Sequence, residues 1–240
     1  MESDVEKAYL QVIHVVSDHF GPEAVVKGGM SLRLYGISRA TQDIDFAFQP
    51  HRRKREFMSE LEKVLNGIFD EPAHVIADSK KVQIQGVIGG VNVIVEASPH
   101  SGFEPDAITT VSMAHLFNIT PQIISVMPKS LAFAHKLGAW LDRRLPRDLY
   151  DCFVYANYLK ARPDLDVLEK RVTKPSYAKG VTRCPKLSSV MEFETFFRNE
   201  IDRLNPEALE RQLLGIVEDS ERIGLGTQIR VALLKFQFGG

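Results

Sequence analysis

The segment that most constrains the fold of this chain is residues 27–46. It contains a Gly28-Gly29 pair and ends in Asp-Ile-Asp-Phe, which carries Asp43 and Asp45. Alternation of polar and apolar residues predicts a β-strand, which places both carboxylates on one face. Two carboxylates on one face repel each other unless a cation lies between them, and Mg²⁺ is the oxygen-seeking ion that accompanies nucleotides. The segment therefore predicts a metal site beside a glycine turn.

The residues between the glycines and the carboxylates predict a phosphate site. Residues 30–35 have the pattern of a short helix, and Gly36 is a suitable C-cap. A Gly-Gly turn that leads into a helix presents unpaired amides and a partial positive charge to an anion. Ser31 would lie in the first turn, where its hydroxyl could reach a phosphate oxygen. Arg33 and Arg39 could either contact phosphate or tether the loop.

This segment resembles the signature of a known enzyme superfamily. The pattern Lys-Gly-Gly-x-Ser-Leu, followed by Arg-x-x-x-Asp-Ile-Asp-Phe, resembles that of the nucleotidyltransferase superfamily typified by DNA polymerase beta. More narrowly, it resembles the AbiEii/AbiGii group of bacterial nucleotidyltransferase-like toxins, which belong to type IV toxin–antitoxin and phage-defence systems. That group also carries a helix lysine and an Arg-Asp-x-x-Asp element, matched here by Lys136 and by Arg147 to Asp151. The resemblance covers about residues 25–160.

The resemblance implies a set of site residues. It implies transfer of a nucleoside monophosphate from an NTP substrate with Mg²⁺ as cofactor, and Lys136 as the cation that neutralises the phosphates. The predicted catalytic residues are Asp43, Asp45, Glu96, Lys136, Asp148 and Asp151; the predicted nucleotide-binding residues are Gly28, Gly29, Ser31, Arg33, Arg39 and Arg147; the predicted metal ligands are Asp43, Asp45 and Glu96.

Glu96 enters this set through a predicted hairpin. Two β-rich runs, 81–88 and 91–97, are separated by two glycines, which is a strong hairpin signal. Alternation places Glu96 on the face opposite the valines of the second run, so it can join Asp43 and Asp45 if the two strands are neighbours. An acid is often found at this place in the related toxins. The alternative is a glutamate on an edge strand.

The downstream charged residues have alternative interpretations. Lys136 could instead be a solvated helix lysine. If it does neutralise the triphosphate, we expect Lys136→Ala to reduce transfer strongly with little loss of stability, because an exposed helix lysine contributes little to folding. Asp148 and Asp151 are three residues apart on a helix and share a face, so they could orient Lys136, bind the nucleotide or receive metal. Alternatively they form a local ladder of ion pairs, in which Arg144 pairs with Asp148 and Arg147 with Asp151.

Composition limits the classes of protein to consider. The net charge of −1 argues against wholesale coating of nucleic acid. Residues 170–186 are basic and modestly favour a polyanionic acceptor, residues 51–55 form a second basic run, and residues 192–222 hold nine acids against four basic residues. The two cysteines are too few for a disulfide framework, and no signal peptide or membrane span is found. We therefore expect a cytoplasmic protein with no membrane partner.

The order of predicted elements indicates an α+β fold. We expect a small mixed sheet flanked by helices in a catalytic domain, residues 1–127, and a helical domain, residues 128–240, that completes the nucleotide cleft. The predicted strands are 43–48, 81–88, 91–97, 109–117 and 122–127. The predicted helices are 3–19, 53–69, 129–142, 148–160, 163–172, 189–203 and 206–222, and residues 227–237 form a final apolar-periodic segment.

The sequence is compatible with several functions. The leading hypothesis is a toxin that transfers NMP to RNA, such as the 3′ end of tRNA, or to a protein hydroxyl, and that is paired with an antitoxin encoded nearby. One alternative is a small-molecule nucleotidyltransferase of the antibiotic-modifying kind, for which the acidic C-terminal part would suit a cationic substrate. A second alternative is a non-catalytic nucleotide-binding module.

Overall fold

The computed structural model describes residues 2–49, 54–78, 81–100, 102–174 and 185–238. The chain divides into two compact units, residues 1–128 and 129–240. Most of each predicted basic run, at 51–53 and at 175–184, lies outside the described residues.

The first unit is built on a mixed β-sheet, in agreement with the predicted fold class. Its strands are β1 (Ala24–Lys27), β2 (Ile44–Phe48), β3 (His74–Ala77), β4 (Val82–Ile88), β5 (Val91–Pro99), β6 (Asp106–Thr109) and β7 (Ile123–Val126). Their order across the sheet is β3-β4-β5-β2-β1-β7-β6. The β2–β5 and β1–β7 pairs are parallel, and the other pairs are antiparallel.

Helices bury one face of this sheet. The helices are α1 (Glu2–Phe20), α2 (Gly28–Leu34), α3 (Lys54–Asn66) and α4 (Val111–Leu116), with a 3₁₀ turn at Gly21–Glu23. Val26, Phe46 and Val95, on three adjacent strands, are fully buried in one core with Leu10 of α1 and Phe57 of α3. Because successive strand residues point to opposite faces, the residues that alternate with these three lie on the other face of the sheet.

The second unit is helical. Its helices are α5 (Lys129–Arg143), α6 (Pro146–Phe153), α7 (Leu165–Thr173), α8 (Val190–Asp202), α9 (Pro206–Gln212), α10 (Asp219–Arg222) and α11 (Leu225–Lys235), with a π-helical turn at Val154–Tyr158. An aromatic core includes Trp140, Phe193, Phe197 and Phe238, and the Trp140 and Phe197 ring centroids are 4.9 Å apart. In the described part of the chain, no helix is long and apolar enough to cross a membrane.

The strand predicted at 109–117 is wrong. β6 ends at Thr109, and α4 occupies 111–116, with the amide of Ala114 donating to the carbonyl of Thr110 at 2.8 Å. Met113 and Ala114 are buried while their neighbours on both sides are more exposed, so too few apolar positions repeat to reveal the helix in the sequence. β3 and β6 were not predicted because both are short, largely exposed edge strands.

The single helix predicted at 206–222 is also wrong. α9 ends at Gln212, and Gly215 adopts a φ of +74°, which a right-handed helix does not accommodate. The predicted helix at 148–160 instead begins at Pro146, a position that suits proline because its missing N–H would have no partner there. That helix then widens into the π-helical turn, where the Leu159 amide donates to the Val154 carbonyl at 3.0 Å.

Candidate active site

A row of polar side chains crosses the face of the first unit's sheet that is opposite the core. Asp45 of β2 is the register partner of Lys27 on β1 and of Glu96 on β5, and Glu96 is in turn the partner of Gln83 on β4. Directly paired residues point to the same face, so these four side chains form one row, which we call the carboxylate row. The strand that carries Glu96 thus lies beside the strand that carries Asp45. The predicted role of Glu96 as a metal ligand requires this arrangement, and the role itself stays a prediction.

A cavity of about 230 Å³ opens along this row. Its charged lining consists of Lys27, Asp45, Asp78, Lys81 and Glu96. The lining thus holds three carboxylates and two ammonium groups, so it carries an excess negative charge that favours a cation.

Two side chains hold Glu96 in place. Its Oε1 accepts from the Lys81 ammonium at 2.5 Å and from the Gln83 amide at 3.0 Å. The Glu96 side chain is 17% exposed and that of Lys81 is 45% exposed. Oε2 accepts no hydrogen bond from the residues that the structure describes, so one carboxylate oxygen remains open to a ligand. No sequence pattern predicts Lys81 or Gln83 as a partner of Glu96, although the Val-Gln-Ile-Gln alternation of β4 indicates that Gln83 faces away from the core.

Gly28 brings the turn against Asp45. Its φ of +72° lies in the left-handed region, which glycine adopts without strain. A Cβ at this position would lie closer than 3.0 Å to the Asp45 carboxylate. Glycine is therefore required here for two reasons, and the carboxylate of β2 lies directly against the backbone where α2 begins.

The space beside Gly29 is already filled by side chains. A Cβ on Gly29 would come within 3.0 Å of the Arg39 guanidinium and the Thr41 hydroxyl. Arg39 is buried and donates to the carbonyl of its neighbour Ala40 at 2.9 Å, within the loop before β2. The buried Ser31 hydroxyl donates to the Gly28 carbonyl at 2.8 Å. These contacts shape the turn, and phosphate binding by the same residues stays a prediction.

Asp43 lies just outside the strand. β2 begins at Ile44 rather than at residue 43 as predicted, so strand alternation fixes the face of Asp45 and not that of Asp43. Burial raises the pKa of Tyr9, and the nearby Asp43 carboxylate raises it further, which places Asp43 near α1. Arg33 forms an ion pair with Glu6 of α1, so its guanidinium already has a carboxylate partner.

The second unit holds Lys136 in a buried ion pair. The Lys136 ammonium lies 2.6 Å from Oδ2 of Asp151, with side-chain exposures of 15% and 0%. The interpretation of Lys136 as a solvated helix lysine is therefore wrong. Each member of a buried ion pair requires the other for the stability of the fold, because either group alone would be an uncompensated buried charge.

The predicted ladder of ion pairs on α6 is also wrong. Asp148 accepts two hydrogen bonds from Arg143, at 2.5 Å and 2.6 Å, rather than one from Arg144. Arg144 has a φ of +54° beyond the end of α5, so helical i,i+4 spacing does not apply to it. Its guanidinium instead lies 4.1 Å from the Trp140 ring centroid. Arg147 is exposed and makes no ion pair with any residue that the structure describes.

Cys152 lies beside these carboxylates without being a candidate nucleophile. Burial raises the pKa of its thiol well above the usual range, and the charges of Asp148 and Asp151 raise it further. A reactive cysteine needs a lowered pKa and some exposure, and Cys152 has neither.

The carboxylates of the first unit suit magnesium held jointly with a substrate. Within the described ranges, no three His, Cys, Asp or Glu side chains are grouped closely enough to hold a metal ion by themselves. Mg²⁺ is usually bound by one or two carboxylates together with substrate phosphates and water. Asp45 and the open oxygen of Glu96 supply donors of this kind, and Asp43 is two residues from Asp45 in the chain.

A comparison of the sequence with protein families identifies a match that covers most of the chain. The sequence model of the family described as nucleotidyl transferase AbiEii toxin, type IV TA system, matches residues 14–222. No curated protein matches the chain. The family match includes the glycine turn, the carboxylate row and the Lys136–Asp151 pair, and it covers most of the chain. The chain therefore belongs to the AbiEii family of nucleotidyltransferase toxins.

Proposed function

We propose that this protein is a magnesium-dependent toxin that transfers NMP from an NTP onto a hydroxyl of RNA, such as the 3′ end of tRNA, or of a protein. We further propose that an antitoxin protein counteracts it. The observation that carries the proposal is the Asp45 carboxylate, which lies against the Gly28 backbone and beside Glu96 in a member of this family.

The proposed reaction is a single displacement at phosphorus. The acceptor oxygen forms a bond to the α-phosphorus, and the bond from that phosphorus to the α–β bridging oxygen breaks. Pyrophosphate leaves, and the hydroxyl proton passes to water. Such a transfer depends on in-line positioning and on positive charge near the phosphate oxygens.

The carboxylates position the nucleotide in this proposal. Asp43 and Asp45 would hold Mg²⁺, with Glu96 as a further ligand; the bound ion would supply charge neutralisation for the triphosphate. The Asp45 carboxylate occupies the space that a Cβ on Gly28 would need, so it borders the start of the glycine turn. Lys81 and Gln83 hold Glu96 by one oxygen, so the other keeps a defined orientation.

Lys136 would bind phosphate oxygens. Its ammonium is held by Asp151, which removes much of the rotational freedom of a lysine and orients the remaining N–H donors. Asp148 would act indirectly, since both of its oxygens accept from Arg143. Arg147 is exposed and would be available to a phosphate.

The test is a labelling experiment with matched variants. Wild-type protein, Asp43→Asn, Asp45→Asn and the surface control Asp166→Asn are incubated with Mg²⁺, total RNA, a cell lysate and each α-labelled NTP in turn. We expect wild type and Asp166→Asn to label a macromolecule, and both site variants to lose at least about a hundredfold in rate, because a metal ligand contributes several kcal/mol to transition-state stabilisation.

The fate of the label distinguishes the acceptors. Label that ribonuclease removes identifies RNA, and label that protease removes identifies protein. Label found only in small molecules would favour the antibiotic-modifying type of enzyme. No labelling with any NTP, or near-wild-type labelling by Asp45→Asn, would contradict the proposal.

A further inference from the structure

Lys27 belongs to the carboxylate row, but neither the proposed metal site nor the proposed phosphate contacts include it. It is the last residue of β1, directly before Gly28, and its side chain is half-buried. It is the register partner of Asp45 and lines the same 230 Å³ cavity. Within the described part of the chain, its ammonium makes no hydrogen bond or ion pair.

The surroundings of Lys27 indicate that its ammonium can bind an anion. A partly buried ammonium loses hydration, and that loss is unfavourable unless an anion or a hydrogen-bond acceptor compensates it. Lys81, the other lysine of the cavity, has this compensation from Glu96 at 2.5 Å. Lys27 stands on the other side of Asp45 and lacks such a contact, although two acidic side chains of its own row are nearby.

We propose that Lys27 binds a phosphate oxygen of the nucleotide triphosphate, an inference that rests on the proposed function. A metal held by Asp45 brings phosphate oxygens to Asp45, and Lys27 projects from the same face one strand spacing, about 4.8 Å, away. The metal ion and the Lys27 ammonium repel each other, but the negatively charged phosphates attract both, so both can contact the same triphosphate. An ammonium is a compact charge with rotatable donors, which suits a phosphate oxygen whose exact direction varies along the reaction.

The position of Lys27 in the chain supports the same ligand. Its backbone is extended, with φ −137° and ψ −170°, and the next residue turns into the left-handed region. The chain direction therefore changes immediately after Lys27, and Lys27 and Asp45 both line the 230 Å³ cavity. An anion held in that cavity meets the Lys27 ammonium at the end of β1.

The experiment compares Lys27→Met with wild type and with Lys7→Ala. Methionine keeps an unbranched stem and removes the charge, and Lys7 is an exposed lysine on α1. Affinity for Mg–NTP and for the nucleoside without phosphates is measured by calorimetry, and the transfer rate by single turnover. We expect Lys27→Met to weaken Mg–NTP binding about ten- to a hundredfold, since a hydrogen bond to a charged group is worth that much.

Further measurements make the assignment to phosphate specific. Nucleoside affinity and melting temperature should stay at their wild-type values in Lys27→Met, because the lost contact is to phosphate. Lys7→Ala should bind Mg–NTP like wild type. Lys27→Arg should recover part of the affinity, and Lys27→Gln provides a second neutral variant if Lys27→Met does not fold.

The outcomes separate this inference from the proposed function. If wild type neither binds nor transfers a nucleotide, the proposed function fails. If wild type does both and a folded Lys27→Met or Lys27→Gln protein binds Mg–NTP equally well, the proposed function stands and the inference about Lys27 is wrong. A rise only in the KM for the acceptor also overturns it, since the phosphate would then belong to the acceptor.

Discussion

Gly28 is subject to two constraints that can be separated by mutation. Its left-handed φ disfavours any residue with a Cβ, and its contact with Asp45 leaves no room for one. Gly36, just after α2, has a similar φ of +82°, but the position that a Cβ would take there is surrounded by open space. The pair therefore distinguishes backbone strain from displacement of the carboxylate.

We expect Gly28→Ala and Gly36→Ala each to lose about 1–2 kcal/mol of unfolding free energy, because both place alanine in the left-handed region. Only Gly28→Ala should also lose nucleotidyl transfer, since its methyl group must push Asp45 aside. Urea unfolding and single-turnover rates measure the two effects. Equal transfer rates in the two variants would show that the position of Asp45 is not critical.

At the scale of helices and strands, the interactions of α6 with α5 dominate the second unit's polar interior. Lys136 pairs with Asp151, and Arg143 pairs with Asp148, in each case from α5 to α6. Both aspartates are fully buried, so each depends on its cation.

We expect Lys136→Ala to lose about 3–5 kcal/mol of unfolding free energy, because it leaves the Asp151 carboxylate buried and unpaired. Replacing both partners, in Lys136→Met/Asp151→Leu, should recover most of that loss because neither position then leaves a buried charge without its partner. Urea unfolding of wild type, Lys136→Met, Asp151→Leu and the double variant closes the cycle. An additive double variant would mean that the two groups contribute independently.

α1 is joined to the β6–α4 connection by a buried hydrogen bond. The Nε2 of His14 lies 2.9 Å from the hydroxyl of Thr110. Burial lowers the pKa of His14 from 6.5, and the nearby Asp18 carboxylate opposes part of this shift. The unfolded chain therefore binds a proton at this residue more readily than the folded one.

We expect this histidine to make the protein less stable in acid. Its contribution is fully favourable above about pH 6.5 and falls as the pH drops toward the lowered pKa of the folded state. His14→Gln can keep the hydrogen bond but cannot titrate, so it should lose less unfolding free energy than wild type between about pH 7.5 and about pH 5.5. Equal losses in the two proteins would assign the acid sensitivity to other groups.

The elements that sequence predicts well are those with local signals. The hairpin of β4 and β5, for example, follows from alternation and two glycines. The pairing of Lys136 with Asp151 has no such signal, because it depends on how two helices pack. The filling of the space beside Gly29 by Arg39 depends likewise on a loop conformation that no periodicity specifies.

The charged groups of the candidate site lie in both units of the whole molecule. The first carries the glycine turn and the carboxylate row, and the second carries cations paired with buried aspartates. The family match spans both units, so we expect both to be required for toxicity. Loss of activity in a variant can thus reflect either a missing functional group or an unfolded unit.

A growth assay with folded variants separates these causes. Wild type, Asp45→Asn, Lys136→Met/Asp151→Leu and the control Asp166→Asn are expressed without antitoxin, and growth is recorded beside the amount of soluble protein. We expect wild type and Asp166→Asn to arrest growth. Asp45→Asn should relieve the arrest at equal abundance, because it removes the charge of a proposed metal ligand from an open cavity.

The double variant decides the role of Lys136. It removes the ammonium without leaving a buried carboxylate, so the second unit should remain folded. If Lys136 neutralises the triphosphate, this variant should be harmless even though its melting temperature and abundance are close to those of wild type. If growth still stops, Lys136 serves only to compensate Asp151, and Arg147, which is exposed on α6, becomes the cation to test next.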